Sequence, residues 1–175
     1  TKLEAGVEVG SDRRMVGVLG VSLLMGWAGV RLTPIALEAW QMPWGWLEWT
    51  VASVWLVFML VGEGYRGFQK GFAPRVAARA RYLREHPTLW RVLLAPAFCM
   101  GFFHATRKRM IVSYAVTSGI VLLILAVRLL PQPWHGIVDL GVVAGLSWGL
   151  AAIVLYGIHA LTAHAFAHPA DTPEA

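Results

Sequence analysis

The chain of 175 residues is 57% hydrophobic, has a mean hydropathy of +0.58 and contains only 14% charged residues. Soluble domains carry about 25% charged residues, so this composition excludes an ordinary soluble domain and predicts a polytopic membrane protein. The net charge of +5 comes from residues beside apolar runs, without a basic helix interleaved with aromatics. This placement favours lipid headgroups over nucleic acid as the counterpart.

The first membrane span is predicted over about residues 15–37. The N-terminal segment before it, residues 1–14, is acidic at its start, unlike a signal peptide, so we expect no cleavage and a retained first helix. Arg13 and Arg14 precede an apolar run that supplies the roughly 20 residues needed to cross a bilayer core. We expect the N-terminal segment, residues 1–14, to lie in the cytoplasm.

The turn after the first span contains four tryptophans and no basic residue. Trp40, Trp44, Trp46 and Trp49 have the composition of an interfacial aromatic belt, which places this turn on the outer side. A second span, predicted over about residues 46–62, then returns the chain to the inner side.

The central part of the chain is strongly basic, since ten of the fifteen Lys and Arg residues lie within residues 63–110. By the positive-inside rule, residues 63–88 are predicted as a basic cytoplasmic segment. Its arginines are expected to lie along the inner leaflet and contact anionic headgroups, or else to form a solvated loop that only sets orientation. The residues expected at the headgroups are Arg75, Arg79, Arg84, Lys108 and Arg109.

Residues 89–103 form an apolar run that is too short to cross a bilayer. Fifteen residues reach only about 22 Å as a helix. Pro96 interrupts the run, and both of its flanks are basic. We expect a re-entrant or membrane-embedded half-helix, with a short interfacial helix under the bundle as the alternative.

Two further spans are predicted, over about residues 111–130 and 140–161. The fourth span carries Gly141, Gly145 and Gly149 on one face, a ridge that allows close approach of another helix from the same chain or from another subunit. The first span also contains glycines, so it is a candidate to pack against this ridge. Its glycines are Gly17, Gly20, Gly26 and Gly29. The tail, residues 162–175, is expected to be cytoplasmic and disordered.

Few residues suggest chemistry. Glu63 is a carboxylate at the end of a span and a candidate ion or proton site, together with His104 and Arg107 along a substrate or ion path. The alternative for Glu63 is an ion pair with Arg66 or with a basic residue of the half-helix.

The histidines suggest two further sites. His104 and His159 both fall at the inner ends of apolar segments and are an option for haem b, although no cofactor is predicted. His164 and His168 have the spacing of metal ligands on a helix but are expected in an exposed tail, so no metal site is predicted.

The sequence predicts an all-α protein of a bacterial inner membrane, with four transmembrane helices and both termini in the cytoplasm. It contains no GxSxG, HExxH, Walker-type or GxGxxG motif, so no catalytic residue is predicted. The expected function is that of a non-catalytic accessory or scaffold subunit, with a protein partner or a second copy in the membrane. The alternatives are a small transporter or channel using the Pro96-broken half-helix and Glu63, and a lipid-handling or haem-binding protein around His104.

The layout also resembles that of the small membrane subunit of tripartite dicarboxylate-type transporters. The resemblance rests on the four spans with an embedded piece between the second and third, and on a WLEW…WLVF pattern from Trp46 to Phe58. It implies a helper subunit without catalytic activity, and it carries no functional residue across.

Overall fold

The structure, a computed structural model, describes residues 2–162 and 166–173 and contains helices but no strands in these ranges. The helices are α1 (Lys2–Trp40), α2 (Trp46–Met59), a π-helical segment (Leu60–Phe72), α3 (Ala73–Glu85), α4 (Leu89–Leu93), α5 (Ala95–Cys99), α6 (Arg107–Val127) and α7 (Trp134–Thr162). Four helical stretches are long and apolar enough to cross a membrane: Met15–Trp40, Trp46–Glu85, Arg107–Val127 and Trp134–Ala160. The all-helical class and the presence of four apolar helices agree with the sequence prediction.

The second of these stretches is a continuous helix of 40 residues made of α2, the π-helical segment and α3. The sequence placed a boundary near residue 62, but the chain stays helical through the glycine-rich stretch that follows. There the backbone adopts the wider π-helical hydrogen-bond pattern, which is rare and frequently occurs at functional sites. A Cβ added at Gly64 would lie 3.0 Å from the ring of Trp148, so a side chain at this position would require Trp148 to shift.

Helix α7 lies at the centre of the molecule, between α1 on one side and α2 with the π-helical segment on the other. Gly136, near the start of α7, faces Ala39, near the end of α1, while Gly157 faces Val18. The two helices are therefore antiparallel. Close approach at both ends requires glycine, because a Cβ at Gly157 would lie 2.8 Å from Val18.

The glycine ridge of α7 faces α2 and the π-helical segment. The contacts are Gly141 with Trp55, Gly145 with Glu63 and Gly149 with Phe68. The first-span glycines expected to face this ridge have other surroundings. Gly17 and Gly20 face Cys99 and Pro96 of α5, and a Cβ at Gly26 or Gly29 would meet nothing within 4 Å.

The hydrophobic core lies at one end of the molecule, where α1, α3, α5 and α7 meet. Helix α3, the centre of the basic segment, buries one complete apolar face there, so it does not lie as a basic helix on the surface. Its buried apolar residues are Ala73, Val76, Ala77, Ala80 and Leu83. All of these except Ala77 pack in one cluster with Val21, Phe98, Cys99 and Ile153 from the other three helices.

The predicted half-helix over residues 89–103 is two helices of five residues each, α4 and α5, separated at Leu94. Helix α5 is buried against the glycines of α1, whereas Leu89 and Trp90 of α4 are 73% and 70% exposed. The chain then turns through Gly101, whose φ of +83° favours glycine, and enters α6.

The tail is ordered where the structure describes it, over residues 166–173, which corrects the expectation of disorder there. The backbone N–H of Thr106 donates to the carbonyl oxygen of Asp171 at 2.9 Å, and Thr172 is 2% exposed. This part of the tail therefore packs back onto the loop that leads into α6. His164, one of the two spaced histidines, lies outside the described residues.

Candidate functional site

A cavity of about 400 Å³ separates α6 from the rest of the molecule. One face of α6, at three- and four-residue spacing, forms one wall. The opposite wall comes from α1 and the π-helical segment, and further lining residues come from α3, α7 and the turn before α6. The lining residues of α6 are Arg109, Val112, Ser113, Val116, Thr117 and Ile120. Because the cavity lies between them, α6 has no extensive contact with another helix in the described part of the chain.

Glu63 is the one carboxylate among the residues that line this cavity. Its side chain reaches across to Gly145 of α7, where a Cβ would lie 3.0 Å from Oε2. Among the described residues it forms neither a hydrogen bond nor an ion pair. The alternative of an ion pair with Arg66 or with a basic residue of the half-helix is therefore wrong, and the carboxyl group of Glu63 lies beside Gly145.

Two guanidinium groups line the cavity, on Arg75 of α3 and Arg109 of α6. The Nε of Arg75 is buried and has no hydrogen-bond partner in the part of the chain that the structure describes. Arg109 is half-buried beside Gly101, where a Cβ would lie 3.3 Å from its Cγ. Arg109 interacts electrostatically with Arg75, and both arginines interact with Asp171 of the tail. The three groups therefore form one charged cluster.

Arg79 lies next to this cluster and is only 1% exposed. The expectation that it contacts lipid headgroups is therefore wrong. Its Nε donates to the carbonyl oxygen of Phe98 at 2.6 Å, and its Nη1 to that of Ala170 at 2.8 Å. Its Nη2 donates to the carbonyl oxygens of Phe103 and His104, both at 3.0 Å. The guanidinium also lies 4.3 Å from the ring of Phe98. Arg79 therefore connects α5, the following loop and the tail.

Cys99 is buried in the core beside α1, where a Cβ at Gly17 would lie 2.6 Å from its Sγ. Burial raises the pKa of the Cys99 thiol to about 12, and the nearby charge of Arg79 opposes this rise. The thiol is therefore protonated near neutral pH. A protonated, buried thiol packs as a small apolar group and is not a nucleophile.

The other predicted site residues lie outside the cavity. Arg84, Arg107 and Lys108 are exposed and do not line it. The ring nitrogens of His104 lie 2.9 and 3.3 Å from Nη2 of Arg91. Of the predicted path through Glu63, His104 and Arg107, only Glu63 lines the cavity.

The haem option gains no support from the surroundings of the two histidines. His104 is engaged by Arg91 and lies near Tyr82 and Phe98, while His159 is exposed beside the ring of Phe166. Within residues 2–162 and 166–173, no group of three or more His, Cys, Asp or Glu residues could hold a metal ion.

Sequence reasoning missed the position of Arg75, which was expected at the lipid surface and lines the cavity. Ser113 and Thr117 were expected to form hydrogen bonds between helices. Ser113 donates to the carbonyl oxygen of Met100 at 2.9 Å and so attaches α6 to the preceding turn. The spacing of Arg109, Ser113 and Thr117, four residues apart along α6, is the sequence signal for this face.

Comparison of the chain with protein-family models, with curated proteins and with solved structures gives no significant match.

Proposed function

We propose that this chain is a non-catalytic protein of a bacterial inner membrane that binds a hydrophobic small molecule in the cavity between α6 and the rest of the molecule. The cavity itself carries the proposal. Its volume of about 400 Å³ is within the range of small-molecule sites, roughly 300–1,000 Å³. Its lining, mostly aliphatic and aromatic with a few polar groups, is also typical of such sites.

The open side of the cavity supports entry of the ligand from the lipid. Val112, Val116 and Ile120 line the cavity and are 38%, 55% and 50% exposed. In a membrane, such uncovered apolar side chains face lipid. A molecule dissolved in the bilayer would reach the cavity sideways, without crossing water.

The proposed orientation has the basic end of the molecule in the cytoplasm. The loops at the other end, between α1 and α2 and between α6 and α7, contain a single basic residue, Arg128. This asymmetry supports a cytoplasmic position for α3 and the start of α6. The exposed apolar residues of α4 lie at the same end, next to basic residues, and fit a helix at the inner membrane interface.

The test is native mass spectrometry of the protein purified gently from its own membranes, combined with extraction and identification of what it retains. Ala28→Phe and Thr117→Phe place large side chains in the cavity from opposite walls. We expect both variants to lose the retained molecule. Leu122→Phe, on a 67% exposed position of α6 outside the cavity, is the matched control and should keep it. Equal retention in all three variants would contradict the proposal.

A second candidate function is that of an accessory subunit, in which α6 packs against a helix of a larger membrane protein. The observation that favours it is the position of α6, which lies beside the bundle with most of its apolar residues exposed. A stoichiometric larger protein in the same mass spectra would support it. The transporter alternative proposed a path along the Pro96-broken half-helix. Pro96 packs against Gly20 and is not a lining residue of the cavity, so the cavity does not support this path.

A further inference from the structure

We infer that the ligand of this cavity is a single-chain amphiphile whose anionic head group, a carboxylate or a phosphate, binds Arg75 and Arg109. The inference rests on the proposed binding function and adds the chemical class of the ligand. Neither its head group nor its chain is implied by the existence of a cavity alone. Each is argued from particular residues of the lining.

The head group follows from an excess of positive charge with free donor capacity. The charged cluster of Arg75, Arg109 and Asp171 lies next to Arg79, and Asp171 interacts electrostatically with all three arginines. Arg79 spends its donors on backbone carbonyl oxygens and is buried, so it is unavailable to a ligand. Arg75 and Arg109 line the cavity, where a ligand can contact them.

The guanidinium of Arg75 has the shape that such a head group needs. Its Nε is enclosed by the protein, so a ligand in the cavity would reach the guanidinium through its other nitrogens. Because the guanidinium is a planar fork of donors, it binds two oxygens of such a group side by side.

The volume limits how much of a ligand the cavity can enclose. If each non-hydrogen atom takes roughly the 30 Å³ that water occupies in the liquid, a cavity of about 400 Å³ encloses about 13 such atoms. One alkyl chain of medium length fills this space, so a second chain would have no room inside the cavity. The walls that would contact the chain are apolar and include Leu24, Met25, Phe68, Val116 and Ile120.

Glu63 determines which way such a ligand lies. It precedes Arg75 by 12 positions on the same continuous helix, so the carboxylate and the guanidinium are separated along the cavity. An anionic head group is repelled near Glu63 and attracted near the two arginines. The head group therefore lies at the basic end, and the chain extends towards the middle of the helices.

The experiment measures binding of three probes to the protein in nanodiscs of phosphatidylcholine. Lauric acid and dodecyl phosphate carry anionic heads at about pH 8, and dodecanol has a chain of the same length with a neutral head. We expect both anions to bind about tenfold more tightly than dodecanol, as one charge-assisted hydrogen bond provides. The tighter of the two anions shows whether the site favours a carboxylate or a phosphate.

The variants locate the preference. We expect the double variant Arg75→Gln/Arg109→Gln to bind lauric acid and dodecanol equally well, and Arg84→Gln, on an exposed position of α3, to behave as the wild type. Arg75→Lys keeps the charge and should keep most of the preference. If the double variant does not fold, comparison of Arg75→Lys and Arg75→Gln takes its place.

The outcomes separate the two proposals. Equal binding of dodecanol and the anions to the wild type would overturn the head-group inference while leaving the binding function intact. A preference for anions that survives the double variant would overturn the assignment to Arg75 and Arg109. Failure of all three probes to bind would overturn the inference together with the proposed function.

Discussion

At the scale of single residues, the fate of the arginines decides the structure of the basic end. Four arginines fall within α3, and the sequence treats them alike. In the folded chain Arg84 is exposed, Arg75 lines the cavity and Arg79 is buried on backbone carbonyl oxygens. A buried charge is tolerated only where hydrogen bonds satisfy it, and the loop before α6 and the tail provide these acceptors for Arg79.

Replacement of Arg79 should destabilise the protein strongly. Arg79→Met removes the donors to Phe98, Ala170, Phe103 and His104 and leaves buried carbonyl oxygens without partners. We expect a loss of about 3 kcal/mol in the free energy of unfolding. Thermal unfolding in detergent measures it, with the exposed Arg84→Met as control. A midpoint equal to that of the control would show that these hydrogen bonds contribute little.

Glu63 should behave in the opposite way. A carboxylate that lines an apolar cavity without a partner among the described residues destabilises the folded state. We expect Glu63→Gln, which keeps the shape and removes the charge, to stabilise the protein by roughly 1 kcal/mol near neutral pH. The measurement is again the unfolding midpoint. Glu85→Gln, which affects only an exposed pair with Arg81, serves as control and should change the midpoint little. A lower midpoint for Glu63→Gln would mean that the carboxylate has a partner.

At the scale of elements, helix α3 carries two sequence patterns, an apolar face and a row of arginines. Apolar residues recur at positions 73, 76, 77, 80 and 83, the spacing of a buried helical face. The arginines between them predict a helix at the lipid surface instead. The helix was foreseeable from its composition, but its burial needed the apolar faces of α1, α5 and α7, which are distant in sequence.

The glycines of α1 and α7 are not equivalent, and substitutions should separate them. A Cβ at Gly136 would collide with Ala39 and lie 2.8 Å from the backbone oxygen of Ile35, so Gly136→Ala should separate α1 from α7. We expect a cost of about 2 kcal/mol.

A Cβ at Gly26 or Gly29 meets nothing, so Gly26→Ala and Gly29→Ala should stabilise the helix by roughly 0.5–1 kcal/mol. Unfolding midpoints of all three glycine variants, compared with the wild type, test the contact map. Destabilisation by Gly26→Ala would indicate a neighbour at that face, such as a second copy of the chain.

At the scale of the whole molecule, the directions of the helices determine which segments of the chain lie at the basic end. The antiparallel pairing of α1 with α7 brings the start of α1 and the end of α7 to the end of the molecule that carries the basic residues. If all four apolar helices cross the bilayer, the start of α1 and the end of α7 lie on the same side. The positive-inside rule predicts that this side is the cytoplasm.

Accessibility of single cysteines tests this orientation. In a Cys99→Ser background, we expect a membrane-impermeant maleimide to label Gln41→Cys and Leu129→Cys in intact cells, because both positions are exposed at the far end. Arg84→Cys and Lys108→Cys should be labelled only after permeabilisation, which also shows that all four thiols are reactive. The reverse pattern would invert the topology, and labelling of all four in intact cells would contradict membrane insertion of this bundle.

By itself, the sequence determined the class of the protein and the number of its apolar helices, because hydropathy and helix length are local properties that a bilayer reads directly. It also marked the basic end and the glycine ridge. Only the tertiary structure decided that Arg79 is buried, that Glu63 has no ion-pair partner among the described residues and that α6 lies apart to leave a cavity. These depend on which segments meet in space, and a one-dimensional pattern of charges and glycines does not distinguish a lipid-facing arginine from one that closes a loop.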